Sequence, residues 1–294
     1  MKIAKAFAPG NISCIFSIAR TKNPAKSGST GIGFTVNEGA LVAIKKTSNK
    51  KNIIYFNNKK INFPTVNAVL KKLTNARVEV NIKSKLPLGC GFGLSGASAL
   101  ATAYALNKLL NLGKNKKELA LIAHIAEVEN GTGLGDVVNQ YYGGFLVKFL
   151  PSYEFKVKKL PIKDKIVYYK VFGKLGTKNV ITNKKIKNRI NKSSKAAFKK
   201  IKDIINNKRI NKNILKEIIK ISKEFSVKSG LLKNKKVINS IKNIEKNNGS
   251  ASMILLGNTV FSDNYFKGSK KVKIIDRGAY LLWQFQNPIL DISH

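Results

Sequence analysis

Only 15 of the 294 residues are Asp or Glu, against 55 Lys and Arg, so a carboxylate set among glycines is a chemical candidate. Asp136 ends the run Gly133-Leu134-Gly135-Asp136, where a backbone with few side chains can come close to a small substrate. A role as an ordinary helix N-cap competes for that aspartate. Glu127 follows His124 by three residues, a spacing that puts both on one side of a helix. One carboxylate to fix a metal and another to take a proton is a division of labour suited to phosphoryl transfer. Glu129 competes with Glu127 for the metal role. The stretch Pro87-Leu88-Gly89-Cys90-Gly91-Phe92-Gly93-Leu94-Ser95 follows a strand pattern and opens a helix pattern. Its small residues let backbone N–H groups approach an anion, which the positive end of the helix dipole then holds. Ser95, and Ser98 one turn on, offer hydroxyls to a phosphate or to Mg²⁺.

Other readings of the glycine loop fail on context. Gly91-Phe92-Gly93-Leu94-Ser95-Gly96 satisfies the dinucleotide-binding pattern, which needs a second strand and an acidic residue about 20 positions on. Glu118 has the spacing but opens another helix, and no strand intervenes. A Walker A loop needs Gly-Lys-Ser/Thr after its glycines, and none follows. A purely structural turn remains as the competing reading of the loop alone.

These residues need elements to hold them. Residues 1–85 read as strands and turns: Lys2–Ala8 and Ile12–Ile18 around a turn at Pro9-Gly10-Asn11, then Gly31–Val36, Ala40–Lys45 and Ile53–Phe56, the last ending a hairpin arm at Asn57-Asn58. Arg77–Lys83 alternates apolar and polar residues as a half-buried strand should. Helices are expected from Ser95 to Leu110, Lys116 to Glu129 and Asp136 to Tyr142, followed by a strand at Phe145–Leu150. Composition shifts near residues 151–165, the expected domain boundary. Beyond it the patterns predict a strand at Ile166–Phe172, a lysine-rich helical tract from Lys184 to Leu232, a helix at Asn239–Asn247 and a strand at Met253–Leu256.

Composition excludes several classes. Cys14 and Cys90 form no CxxC pair, which argues against a disulfide scaffold or structural zinc and suits a reducing, cytoplasmic compartment. The N-terminus has no apolar core of signal-peptide length, and the stretch from Leu94 to Leu106 is shorter than the roughly 20 residues of a membrane span. A net charge of +40 would attract anions, nucleic acid among them. Only five basic residues are arginine (Arg20, Arg77, Arg189, Arg209 and Arg277), whereas base reading and phosphate forks favour Arg. The lysine excess travels with Asn and Ile, which share A/T-rich codons, so drift in genome composition explains the charge and nucleic acid is not the expected partner.

The chain resembles the GHMP kinase superfamily (galactokinase, homoserine kinase, mevalonate kinase and relatives), whose shared loop runs Pro-x-Gly-x-Gly-Leu-Gly-Ser-Ser-Ala. Pro87 to Gly96 lies on that loop with Phe92 for Leu, Leu94 for the first Ser and Gly96 for Ala. Ala8-Pro9-Gly10 is similar to the family's first motif, and residues 249–261 occupy the place of its third without the dense glycines. Within the superfamily the resemblance is to the archaeal pantoate kinases. It is carried by residues 27–33, 91–97, Ala123-His124-Ile125-Ala126-Glu127-Val128-Glu129, Thr132-Gly133-Leu134-Gly135-Asp136-Val137 and 256–261.

The resemblance implies an α+β fold in two domains. Residues 1–155 would form an ATP-binding domain like the second domain of ribosomal S5, and residues 156–294 a ferredoxin-like domain. It implies ATP and Mg²⁺ as cofactors, with ATP held by Pro87, Gly89, Gly91, Gly93, Leu94, Ser95, Gly96, Ala97 and Ser98. Ser95 and Glu127 would serve the metal, Asp136 would be the general base, and Ser29, His124 and Lys148 would contact the substrate. The implied reaction phosphorylates the 4-hydroxyl of pantoate to 4-phosphopantoate on the archaeal route to coenzyme A. Homoserine, shikimate or mevalonate as acceptor, or a non-catalytic basic nucleic-acid binder, are the rival readings, and a homodimer is the candidate assembly. The sequence departs from the family pattern at Lys148, where Arg is usual, at Asn11, where many members have Lys, and at Thr30, where the pantoate kinases tend to have Arg.

Overall fold

A computed structural model describes residues 2–176, 180, 183–207 and 213–282. Two antiparallel strands of unusual length, Ile3–Ala19 (β1) and Gly28–Lys46 (β2), form its backbone. Each runs straight through a segment expected to be a turn. Pro9 pairs with Gly39 and Gly10 with Val36, so Asn37 and Glu38 are extra residues accommodated by a bulge. A turn at Pro9-Gly10-Asn11 would have separated β1 into two strands. The bulge instead keeps the strand whole and bends it, and Gly10 sits so close to Leu86 that a Cβ there would lie 2.6 Å from Leu86 Cδ1. A second register shift falls between Ser13 and Ile15.

Ile53–Phe56 (β3) turns into Lys59–Lys60 (β4) through Asn57 and Asn58, at φ 48° and 65°. Asparagine tolerates this left-handed pair, which matches the twist of a tight hairpin. Val78–Lys83 (β5) lies between β2 and β3, Phe145–Lys148 (β6) pairs with β2, and Lys158–Leu160 (β7) pairs with β6. Tyr280–Leu282 (β12) adds to the other side of β1, completing an eight-stranded sheet.

Four helices belong to this sheet. Pro64–Leu73 (α1) was not anticipated from the sequence. Proline at its first position and Val66, Val69, Leu70 and Leu73 buried at helical spacing explain it after the fact. Leu94–Leu110 (α2) starts at the glycine loop and is buried on nearly every side, which its alanines allow. Lys116–Asn130 (α3) has a capping box between Asn115 and Glu118 and ends at Gly131 with φ 65°. Asp136–Tyr142 (α4) has the bounds expected for it, set between Gly135 and Gly143.

A second sheet has the order Lys270–Lys273 (β11), Ile166–Gly173 (β8), Asn258–Ser262 (β10), Ala251–Ile254 (β9), all antiparallel. With it go Lys184–Asn206 (α5), Ile214–Lys228 (α6) and Lys235–Lys246 (α7). Helix α7 begins four residues earlier than expected, because Asn234 Oδ1 accepts from the N–H groups of Lys236 and Val237 and so caps it there. Residues 208–212 of the expected Lys184–Leu232 tract lie outside the described residues. The architecture is α+β, as the sequence implied. The second half meets the first at the glycine loop, where Leu175 N–H donates to Gly89 O and Thr259 Oγ1 to Cys90 O.

Candidate active site

The glycine loop has glycines because its backbone demands them. Gly89, Gly91 and Gly93 have φ of 80°, 94° and 60°. A Cβ on Gly91 would also stand 2.8 Å from Ile254 Cγ2 and 3.1 Å from Leu255 O, where the second sheet closes on the loop. Gly93 is the N-cap of α2 and has no side chain to satisfy the helix's first N–H groups, which are left for an anion. Gly89, Gly91, Gly93, Leu94 and Ser95 line a cavity of about 390 Å³, whereas Pro87, Gly96, Ala97 and Ser98 do not. Ala97 and Ser98 are buried in the helix packing, so the segment faces the cavity between Leu88 and Ser95.

The run Thr132–Asp136 also lines the cavity, and it lies against the loop: a Cβ on Gly93 would stand 3.0 Å from Asp136 Cβ and Cγ. Asp136 opens α4 and is half-buried, and its Oδ1 accepts from Asn11 Nδ2 at 2.6 Å and from Ser13 Oγ at 3.4 Å. The bulged strand β1 therefore presents Asn11 and Ser13, two residues apart on one face, to the aspartate. Burial raises the Asp136 pKa, against the opposing pull of Lys148, Asn11 and Ser13. Asn139, three residues further along α4, donates through Nδ2 to Asn11 Oδ1 at 2.8 Å and so fixes the amide that holds Asp136.

Lys148, on β6, is buried, with its Nζ donating to Gly135 O at 2.7 Å. Burial lowers its pKa to about 8, while Asp136 and Glu127 pull the other way. Gly135 is needed at this point, since a Cβ there would lie 2.2 Å from Ser29 Oγ and 2.8 Å from Lys148 Nζ. Ser29 lines the cavity, and its N–H donates to Ser152 Oγ at 2.8 Å.

Glu127 is fully buried behind Gly96 and Gly133, where Cβ atoms would stand 2.8 Å and 2.6 Å from its Oε2. Neither of its carboxylate oxygens has a hydrogen-bond partner. Burial, and then the nearby Asp136, push its pKa well up, although the Ser95 and Thr132 hydroxyls lie close enough to favour the ionised form. Ser95 Oγ directs its proton to Thr65 Oγ1 at 3.0 Å, leaving its lone pairs for another partner. Thr65 in turn lies 3.1 Å from Thr132. Glu129, the competitor for a metal, is exposed and pairs with Lys72 at 2.8 Å.

His124 is not brought to the cavity. It is fully buried, its Nε2 lies 2.9 Å from Ser27 O, and burial depresses its pKa. Ser95, Glu127, Asp136, Lys148 and Ser29 do come together. Sequence reasoning missed Ser13, Thr65, Thr132, Asn139 and Gln140. Asn139 and Gln140 could have been found from Asp136, since three and four residues on they share its helix face.

Residues 60–144 match the family described as GHMP kinases N terminal domain. The chain is 36% identical to the pantoate kinase of Methanocaldococcus jannaschii over 260 residues, 87% of this chain and 90% of that one. The chain belongs to the GHMP kinase family. This GHMP kinase is also 30% identical to the pantoate kinase of Methanospirillum hungatei over 87% of its length and 86% of the relative's. A solved phosphotransferase described as related to the CoA biosynthesis pathway shares its fold, with a TM-score of 0.82 at 23% identity, covering 97% of this chain and 100% of that one. As a kinase of this family it is an ATP-dependent phosphotransferase that acts on a hydroxyl of a small molecule. Among the described residues no helix is long and apolar enough to cross a membrane.

Proposed function

We propose that this kinase transfers the γ-phosphoryl group of ATP to the 4-hydroxyl of pantoate, giving 4-phosphopantoate for coenzyme A synthesis in the cytoplasm. The observation that carries the reading is Lys148: a buried cation beside Gly135-Asp136, one residue from the carboxylate that would take the proton. A substrate bearing both a carboxylate and a hydroxyl can bind its carboxylate to Lys148 and Ser29 and bring its hydroxyl to Asp136. The archaeal relatives named as pantoate kinases support this choice of acid.

In this reading Asn11 and Ser13 occupy Asp136 Oδ1, and among the described residues no donor is bonded to Oδ2, which takes the substrate proton. Burial makes that carboxylate a stronger base than an exposed aspartate. The residues also fit Mg²⁺. A buried carboxylate without partners, a serine hydroxyl with its lone pairs free, and the small Gly96 and Gly133 beside them form a donor set for a hard cation. Glu127 and Ser95 would hold the metal, which when bound neutralises charge on the phosphates of ATP. No group of three or more His, Cys, Asp or Glu able to hold a metal occurs among the described residues, so phosphate oxygens would complete its coordination. Residues 1–155 would form the ATP-binding domain and 156–294 the second, although Lys158–Leu160 and Tyr280–Leu282 of the latter extend the first domain's sheet, with the cavity between them, and the chain would pair as a homodimer. His124 would act on substrate through Ser27, which precedes Gly28 and Ser29.

The test is a coupled ADP-release assay with purified protein, ATP and Mg²⁺. Pantoate should be turned over and homoserine, shikimate and mevalonate should not. Turnover of homoserine without turnover of pantoate would overturn the assignment.

A further inference from the structure

Three oxygens behind the cavity wall are buried acceptors that receive no hydrogen bond: Glu127 Oε1, Glu127 Oε2 and Gln140 Oε1. Both side chains are 0% exposed. Both lie against Gly96, where a Cβ would stand 2.8 Å from Glu127 Oε2 and 2.9 Å from Gln140 Oε1. Gly96 is in the first turn of α2, directly after Ser95.

The direction of the Gln140 amide is determined. Its Nε2 donates to Gly93 O at 2.8 Å, a bond only the NH₂ end can make, so the carbonyl end must point the other way, toward Glu127. The nearest hydroxyl protons are committed elsewhere, Ser95 to Thr65 and Thr132 to the Thr65 hydroxyl or the Glu127 backbone carbonyl. Buried acceptors without donors are costly, and three together call for a proton on Glu127 or a positive charge between them.

We propose that Gln140 Oε1 is a further oxygen turned toward the divalent cation of the kinase reaction, on the same side as Glu127 and Ser95. This rests on the metal site proposed above and adds to it. A neutral carbonyl oxygen is a suitable partner for a hard cation, and a site with a single carboxylate needs neutral oxygens to complete its shell. Gln140 stands four residues after Asp136 on α4, so the two side chains share a helix face. Its other end is tied to Gly93, the cap of the phosphate-facing helix. One side chain thus sets the cation relative to both the phosphate loop and the helix of the base.

The experiment is Mn²⁺ binding to the ADP-bound enzyme, read by the loss of the free-ion electron paramagnetic resonance signal. Wild type is compared with Glu127→Gln, Gln140→Met and Gln140→Glu. Gln140→Met should weaken Mn²⁺ about ten-fold or more, the scale on which metal-orienting partners act. Gln140→Glu, which keeps an oxygen at that place but loses the bond to Gly93 O, should bind Mn²⁺ at least as tightly as wild type. If Glu127→Gln binds as wild type does, the metal site itself is wrong and the inference falls with it. If Glu127→Gln weakens binding and Gln140→Met does not, the inference alone is overturned. Weaker binding in Gln140→Glu also overturns it, whether or not Gln140→Met folds, because the tether to Gly93 would then be the residue's only role.

Discussion

Asn11 Nδ2 lies 2.6 Å from Asp136 Oδ1, across 125 residues of sequence, and Asn139 Nδ2 holds the Asn11 carbonyl at 2.8 Å. The stretch of β1 between its two register shifts and the first turn of α4 meet in this chain of amides. A hydrogen bond to the charged form of a carboxylate favours that form, so Asn11 and Ser13 offset part of what burial does to Asp136. The Asp136 pKa is therefore raised above that of an exposed aspartate, but by less than burial alone would raise it.

Replacing Asn11 with leucine removes that support. The acidic limb of kcat/KM should move to higher pH, because the Asp136 pKa rises when its donor is lost. The pH profile of steady-state kinetics checks this. An unmoved limb would mean that Asp136 is not the group being titrated.

Asp136→Ala should lower kcat by about 10²- to 10⁴-fold, the usual contribution of a positioned base. Binding of ATP, followed by titration calorimetry, should not fall with it, since a carboxylate has no donor to offer the phosphates although it lies beside Gly93. Comparable loss of ATP affinity would place Asp136 in nucleotide binding instead.

Lys148 gives the second pH limb. Its pKa of about 8 means that it is charged below that pH and neutral above it. If it binds the substrate carboxylate, kcat/KM for pantoate should fall as pH rises past about 8, and KM for ATP should not follow. Lys148→Arg, which stays charged throughout, should remove the alkaline limb. An alkaline limb that persists in Lys148→Arg belongs to another group.

Gly135→Ala should damage the substrate side without unfolding the chain. The added methyl would meet Ser29 Oγ and Lys148 Nζ, at 2.2 Å and 2.8 Å. Both are side-chain ends that can move, so the strain is relieved by displacing the two groups that would hold the acid. KM for pantoate should rise at least ten-fold with the thermal midpoint shifted by only a few degrees. A rise in KM for ATP alone would contradict the placement.

What could be read in advance was what glycine marks. Helix α4 has its expected bounds because glycines bracket it, and Gly89, Gly91 and Gly93 announced a backbone that other residues rarely adopt. Pro9-Gly10 misled for the same reason, since the pair marks turns as well as bulges, and only pairing with Gly39 and Val36 shows which. Thr65 was invisible because its helix packs through long-range contacts, and its hydroxyl has meaning only once Ser95 is brought to within 3.0 Å. Gln140 could be reached from Asp136 by helix spacing, but its unpartnered carbonyl could not, because that is a property of the surroundings and not of the residue.

His124 makes a prediction about stability rather than turnover. Its Nε2 lies 2.9 Å from Ser27 O and its Nδ1 is buried without a partner. The neutral ring with its proton on Nε2 satisfies that bond, whereas a second proton on Nδ1 would have no acceptor. Burial accordingly depresses its pKa below the usual 6.5, Lys148 adds to the effect, and the bond to Ser27 opposes it without prevailing. The unfolded chain therefore binds the proton more readily than the folded one. Stability from this group is fully present above about pH 6.5 and is lost as pH falls through the folded pKa. Glu127 and Asp136, whose pKa values are raised, work in the opposite sense, so total stability would mix the two. The contribution of His124 is isolated by comparing wild type with His124→Gln in urea at pH 7.5 and pH 5.5. Wild type should lose more of its midpoint than the variant on going to the lower pH. Equal losses would show that the ring is not held neutral by burial.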